Sequence, residues 1–272
     1  MPSNPRLDPA PSAPAFTRPA LVGAHPGHEL RVFGWMETAA PLVCVLTDGS
    51  GSGGEGRLES TDAVLVRTGA HPGPVYGWMS DRAIYGAILS GDADRFRRLA
   101  DELAAMMVEG GVDCVVADAV EGYNPSHDVC RLVVNAALRL ASRARGAPIA
   151  AYDFLLVGAP DQCPDALRAD ALWLSLDDAA LARKLEAARG YPELAGEVEH
   201  ALERFGAAPF RTECLRPVDL SDPYGWDAAE TPYYESYGEK RVAEGAYDRV
   251  LRFGEHVRPL ADALWSHGER GA

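Results

Sequence analysis

Cysteine is scarce and scattered: Cys44, Cys114, Cys130, Cys163 and Cys214 are spread through 272 residues, and no two form a C-x-x-C pair. An odd, dispersed set excludes a disulfide framework and a cysteine-rich zinc site, and fits buried thiols in a reducing compartment. Cys44 and Cys114 each fall inside a strand-like apolar run, where core packing is the expected role. Positive charge is also short, with 26 Lys and Arg against 40 Asp and Glu and a formal net charge of -14. That balance argues against nucleic acid or an anionic membrane as partner. No apolar run approaches the roughly 20 residues of a membrane helix. The N-terminal end is rich in Pro, Ala and Ser and lacks an apolar signal core, so a disordered tail over residues 1–18 and a cytoplasmic location are expected.

What is present fits one large α/β domain, since 47% of the residues are hydrophobic and 24% charged. The expected domain spans 19–220, with an aromatic, helical extension over 221–272 packed on it or on a second copy in a homodimer. Apolar runs bounded by turn residues predict buried strands at 21–24, 41–46, 63–66, 112–117, 149–157, 172–176 and 211–218, the last closing the sheet. Helical spacing is clear over 94–109, where Phe96, Leu99, Leu103 and Met106 recur and Gly110-Gly111 stop the helix. Further helices are predicted over 31–39, 81–88, 126–141 with Ser126 as its cap, 177–189 and 193–205. The glycine-rich 50–56 lacks the G-K-[ST] ending of a phosphate loop and reads as a mobile rim. The expected fold is therefore a Rossmann-like, mainly parallel sheet with helices on both faces.

Three stretches carry chemistry. Ala24-His25-Pro26-Gly27-His28-Glu29 follows the first strand, Thr47-Asp48-Gly49 ends the second, and Tyr123-Asn124-Pro125-Ser126-His127-Asp128 opens a helix after a later strand. In open α/β sheets the carboxyl ends of strands are where ligands bind. Histidine is the commonest protein metal ligand, so His25 and His28 could share one ion; the plainer alternative is a loop with two unrelated histidines. A third histidine, His127, on the same sheet edge strengthens the metal reading. The second Ala70-His71-Pro72-Gly73 is taken as coincidental, because Pro74 stands where a second ligand is needed.

In kind, order and place these stretches resemble the LmbE-like, or PIG-L, family of zinc-dependent N-acetylglucosamine de-N-acetylases, whose motifs are A-H-P-D-D-E, T-D-G and H-P-D-H. The resemblance covers roughly 21–218. It implies a site for zinc or another divalent metal with His25, His28 and His127 as ligands, His28 standing where the family has Asp. Zinc accepts three protein ligands and an open position in catalytic sites. The family's general base falls on Gly27, which has no side chain, its oxyanion-stabilising His on Asn124, and the H-P-D-H aspartate on Ser126. Asn124 can still donate a hydrogen bond. Asp48, Glu29 and Asp128 are the candidates to replace the base, each with a plainer role as a carboxylate orienting a ligand. Tyr123 and Trp35 are candidate substrate contacts, with Tyr76, Trp78 and Tyr85 as other possible lining. The expected activity is metal-dependent hydrolysis of a small polar N-acyl metabolite. The alternatives are the same site turned to another metal-assisted reaction, or an inactive ligand-binding homologue.

Overall fold

The computed structural model describes residues 16–51, 54–225 and 230–270. Residues 1–15 of the expected tail and 52–53 of the glycine-rich loop lie outside them. Thr17 and Arg18 are already anchored, their amides bonded to the Asp113 carboxylate at 2.7 and 3.1 Å. Seven strands form one sheet: β1 (Pro19–Gly23), β2 (Leu42–Thr47), β3 (His71–Met79), β4 (Cys114–Asp118), β5 (Ala150–Phe154), β6 (Leu172–Ser175) and β7 (Thr212–Pro217), in the order β3-β2-β1-β4-β5-β7-β6. The first five strands in that order pair in parallel, while β7 is antiparallel to β5 and β6.

Alternation along the central strands builds two cores. Ala20, Val22, Cys44, Leu46, Val115 and Ala117 face one side, and Leu21, Val43, Val45, Cys114 and Val116 face the other. Because side chains alternate with period two, a strand buried on both faces needs an unbroken apolar run. The first face is covered by α4 (Ala93–Glu109), α5 (Pro125–Arg145) and α9 (Arg258–Arg270), through residues such as Phe96, Leu103, Val133, Leu260 and Leu264. The second is covered by α1 (Phe33–Ala39), α2 (Leu58–Thr68) and α6 (Asp178–Arg189). The remaining helices are α3 (Asp81–Ser90), α7 (Ala195–Phe205) and α8 (Tyr233–Ala243). Among the described residues no helix is long and apolar enough to cross a membrane.

The sheet differs from the sequence expectation in three places. Residues 63–66 are not a strand but part of α2: Thr61, Val64, Leu65 and Thr68 are buried at helical spacing and Val66 is 82% exposed. The third strand instead begins at His71, through Pro72, Gly73 and Pro74. These residues are tolerated because β3 lies at the sheet edge, where a missing N–H breaks no second ladder and register shifts occur. Strand β7 does not close the sheet; it inserts between β5 and β6. The cap of α5 is Asn124, whose side chain accepts from the Ser126 amide.

Position β7 matters because Glu213 projects from it to α1. Its Oε1 accepts from Gly34 N at 2.8 Å and Lys184 Nζ at 2.7 Å, and its Oε2 accepts from Trp35 N at 2.7 Å. One buried carboxylate thus satisfies the first-turn amides of α1 and neutralises a buried lysine from α6. Glu213→Gln keeps the shape but leaves Lys184 without a counter-charge, and should destabilise the protein by about 3–5 kcal/mol. Denaturant unfolding measures this; a loss below about 1 kcal/mol, the level of an exposed pair, would contradict it.

Candidate functional site

Strand β1 has β2 on one side and β4 on the other, so the direction of sheet growth reverses beside it. The loops leaving β1 and β4 therefore part around one crevice, the ligand position of open α/β sheets. His25 and His28 come from the first loop, and His127 from the first turn of α5 after the second. Their rings gather edge to face, with centroids 5.3 Å apart for His25–His28, 5.1 Å for His25–His127 and 4.5 Å for His28–His127.

Two of the rings are oriented by buried carboxylates. His25 Nδ1 lies 2.9 Å from Asp81 Oδ1 and 2.7 Å from Thr47 Oγ1, and His28 Nδ1 lies 2.8 Å from Asp118 Oδ2. A carboxylate is only an acceptor, so each Nδ1 carries the proton and each Nε2 keeps a lone pair in the neutral ring. Burial, outweighing the bond to Asp81, lowers the His25 pKa. Burial also places His127 well below its usual value, reinforced by the charges of His28, His25 and Arg57. Burial alone would raise the Asp81 carboxyl, but bonds to His25, Thr47 and the Gly51 amide outweigh it and hold the group below the ordinary range.

Neutral imidazoles supported through Nδ1 by carboxylates are the arrangement with which proteins present Nε2 to a metal. The Oδ1 oxygen of Asp118 is buried beside them without a partner among the described residues. As the side chains stand, however, no group of three His, Cys, Asp or Glu among the described residues is set to hold an ion. His25 Nε2 is engaged by Ser126 Oγ at 2.7 Å. Three imidazoles are a donor set that fits a divalent metal in kind, and the contact with Ser126 occupies His25 Nε2.

Asp81, His25 and Ser126 also form a carboxylate–imidazole–hydroxyl series. It is not a presented nucleophile: Ser126 is 0% exposed, and its single hydroxyl hydrogen is shared between Asn124 Oδ1 and His25 Nε2, each 2.7 Å away. Asn124 Oδ1 accepts in addition from Ser126 N and Tyr85 Oη, both at 2.9 Å. With its oxygen so occupied, the side chain has its two Nδ2 hydrogens left to donate.

The three candidate base substitutes each accept backbone amides. Asp48 Oδ1 accepts from Ser50 N within its own loop. Glu29 Oε2 accepts from Gly27 N, its Oε1 is buried without a partner among the described residues, and burial raises its pKa. Asp128, pushed by burial up to about 7, receives the Glu121 and Gly122 amides and shapes the loop before Asn124. Trp35 is 4% exposed in the second core and is not brought to the histidines, whereas Tyr123 is 46% exposed beside Asn124.

Three contributors were not read from the sequence. Asp118, the last residue of an apolar strand on the histidine edge, carried a visible signal. Asp81 did not, because the strand preceding it was misplaced. Arg57 lies in the loop against Pro26: a methyl group on Gly49 would meet Arg57 Cγ and Nε at 2.6 Å and Pro26 Cδ at 2.9 Å. Its Nε is buried without a partner among the described residues.

Comparison with known proteins gives no matching family model and no matching curated protein. Solved structures do match. The antimicrobial reagent A40926 pseudoaglycone deacetylase Dbv21 aligns with a TM-score of 0.52 at 22% identity, over 78% of this chain and 99% of its own. The zinc-inhibited form of teicoplanin deacetylase Orf2 aligns at 0.51 and 15% identity, over 74% and 97%. A deacetylase-bog complex from the teicoplanin pathway gives 0.51 and 18%, over the same shares. The fold is that of these deacetylases. The α/β expectation is thus borne out, mainly parallel sheet and two helical faces included.

The empty side-chain position at 27 has a structural counterpart. Gly27 adopts φ +102°, and a Cβ there would sit 2.2 Å from Leu194 Cδ1 and 3.5 Å from Tyr191 Cζ. The segment joining α6 to α7 fills the space a carboxylate would need. Gly27→Asp should therefore destabilise by about 1–3 kcal/mol through strain and crowding. Combined with Leu194→Ala, the loss should be smaller than the sum of the two single losses by at least about 0.5 kcal/mol. Strict additivity in unfolding experiments would contradict the crowding.

Proposed function

We propose that this chain is a metal-assisted N-deacylase that hydrolyses the amide of a small polar N-acyl metabolite. The observation that carries this reading is the gathering of His25, His28 and His127 at the strand-order reversal, with Asp81 and Asp118 behind two of them. The deacetylase fold and the T-D-G stretch support it. The three histidines would hold the ion, zinc or another divalent metal. When bound, such an ion supplies Lewis-acid polarisation of a carbonyl and makes water more acidic.

The rest falls to the chain. Asp81 and Asp118 fix two imidazoles in the tautomer that presents Nε2. Asn124, its oxygen anchored by the Ser126 amide and the Tyr85 hydroxyl, directs its Nδ2 hydrogens to the negative charge that develops on an acyl oxygen. Arg57 adds the positive charge beside Pro26. Asp128 sets the path of the loop that delivers Asn124.

One observation favours a second reading. Leu194 occupies the space of the missing base, which fits a different metal-assisted reaction in the same site. The deciding assay follows free-amine release from a panel of N-acetyl amino sugars and N-acyl amines with added zinc or cobalt. Amine release that a chelator abolishes and metal restores is expected; no release from metal-loaded protein rejects deacylation. Asn124→Asp keeps an acceptor for the Ser126 amide but removes the donor. It should lower kcat by about 10²–10³ with helix content unchanged; an unaltered kcat would remove Asn124 from the chemistry.

A further inference from the structure

Tyr123, the residue before Asn124, does not stand alone. Its ring is parallel to that of Tyr233, with centroids 5.0 Å apart and 4° between planes, and Tyr233 is stacked in turn on Tyr237 at 5.9 Å and 28°. The three rings are 46%, 51% and 41% exposed. With Tyr247 at 49% they make up four of the seven exposed large hydrophobic side chains among the described residues. An exposed aromatic cluster of this kind marks a binding surface more often than a packing requirement. Packing is met one residue away, where Tyr234 is 5% exposed and its amide bonds Gly122 O, docking α8 on the loop that carries Tyr123 and Asn124. Tyr247 lies near enough to Tyr85 to act on its phenol, and Tyr85 holds Asn124. Tyr123 is thus one residue from the proposed amide donor, and α8 is docked on the loop that carries both.

We propose that the Tyr123–Tyr233–Tyr237 stack is a substrate subsite that takes an aromatic ring carried by the N-acyl compound. A flat ring matches a ladder of parallel phenols, which gains most from offset or edge contacts with another π-system. Of the cations here, Lys240 and Arg241 pair with Glu244, and Arg252 with Glu235 and Glu239. The inference rests on the deacylase reading only for what happens at the far end of the ligand.

The test measures binding, by calorimetry on the full chain, of 4-nitrophenyl and methyl N-acetyl-β-glucosaminides, which differ only in the aryl group. The aryl compound should bind about tenfold more tightly, and the exposed double substitution Tyr233→Ala/Tyr237→Ala should erase that advantage while leaving the methyl compound unchanged. Equal binding of the two, binding of neither, or an advantage that survives in the variant overturns the proposal. A fall for both compounds in the variant overturns it in favour of a subsite for the sugar face. Free amine is read in the same samples. An aryl preference without amine release leaves the subsite standing and fails the deacylase reading, while release without preference does the reverse.

Discussion

The site depends on two buried carboxylate–imidazole contacts, Asp81 with His25 and Asp118 with His28. Asp118 does more than orient a ring. Its Oδ2 also accepts from Ala24 N at 2.7 Å, so one oxygen ties the loop after β1 to the end of β4 and sets the two loops against each other across the crevice. Removing such a group from water is expensive unless its partners are in place. The histidine cluster and the local backbone are therefore determined together: the strand order brings the loops side by side, and the carboxylates fix the rings within them.

The departures from the de-N-acetylase motifs form a coherent set in three dimensions. Gly27 is matched by Leu194, which fills the vacated volume. Asn124, in place of a histidine, caps α5, binds Ser126 and Tyr85, and retains a donor. Ser126, in place of an aspartate, meets His25 Nε2. Random loss of function does not predict that each changed position acquires a packed or hydrogen-bonded partner. A site maintained for altered chemistry or an altered substrate does, and the tyrosines beside Asn124 point to the substrate side of that change.

Much of the fold was legible because parallel strands buried on both faces leave unbroken apolar runs, as in Leu42–Leu46 and Cys114–Ala117. The failures have local causes. Four apolar residues at 63–66 look like a strand although only the turn-spaced ones are buried, and Pro72 and Pro74 disguise an edge strand that has no second neighbour to pair. At the site, the histidines stood out because they follow strand ends, and the structure does bring them together. The supporting carboxylates were harder to see. Asp81 approaches His25 only through tertiary folding, 56 residues away in sequence, and no spacing rule connects them. Trp35, a candidate substrate contact in the sequence, is buried in the second core, on the face where α1 packs against the sheet.

The most direct measurement is zinc binding, followed by calorimetry on protein stripped of metal, for the wild-type chain and for His127→Ala. The account predicts one ion per wild-type chain at micromolar affinity or better, and loss of that binding in the variant. A wild-type chain that takes up no zinc, or a variant that binds it equally well, would contradict the three-histidine centre.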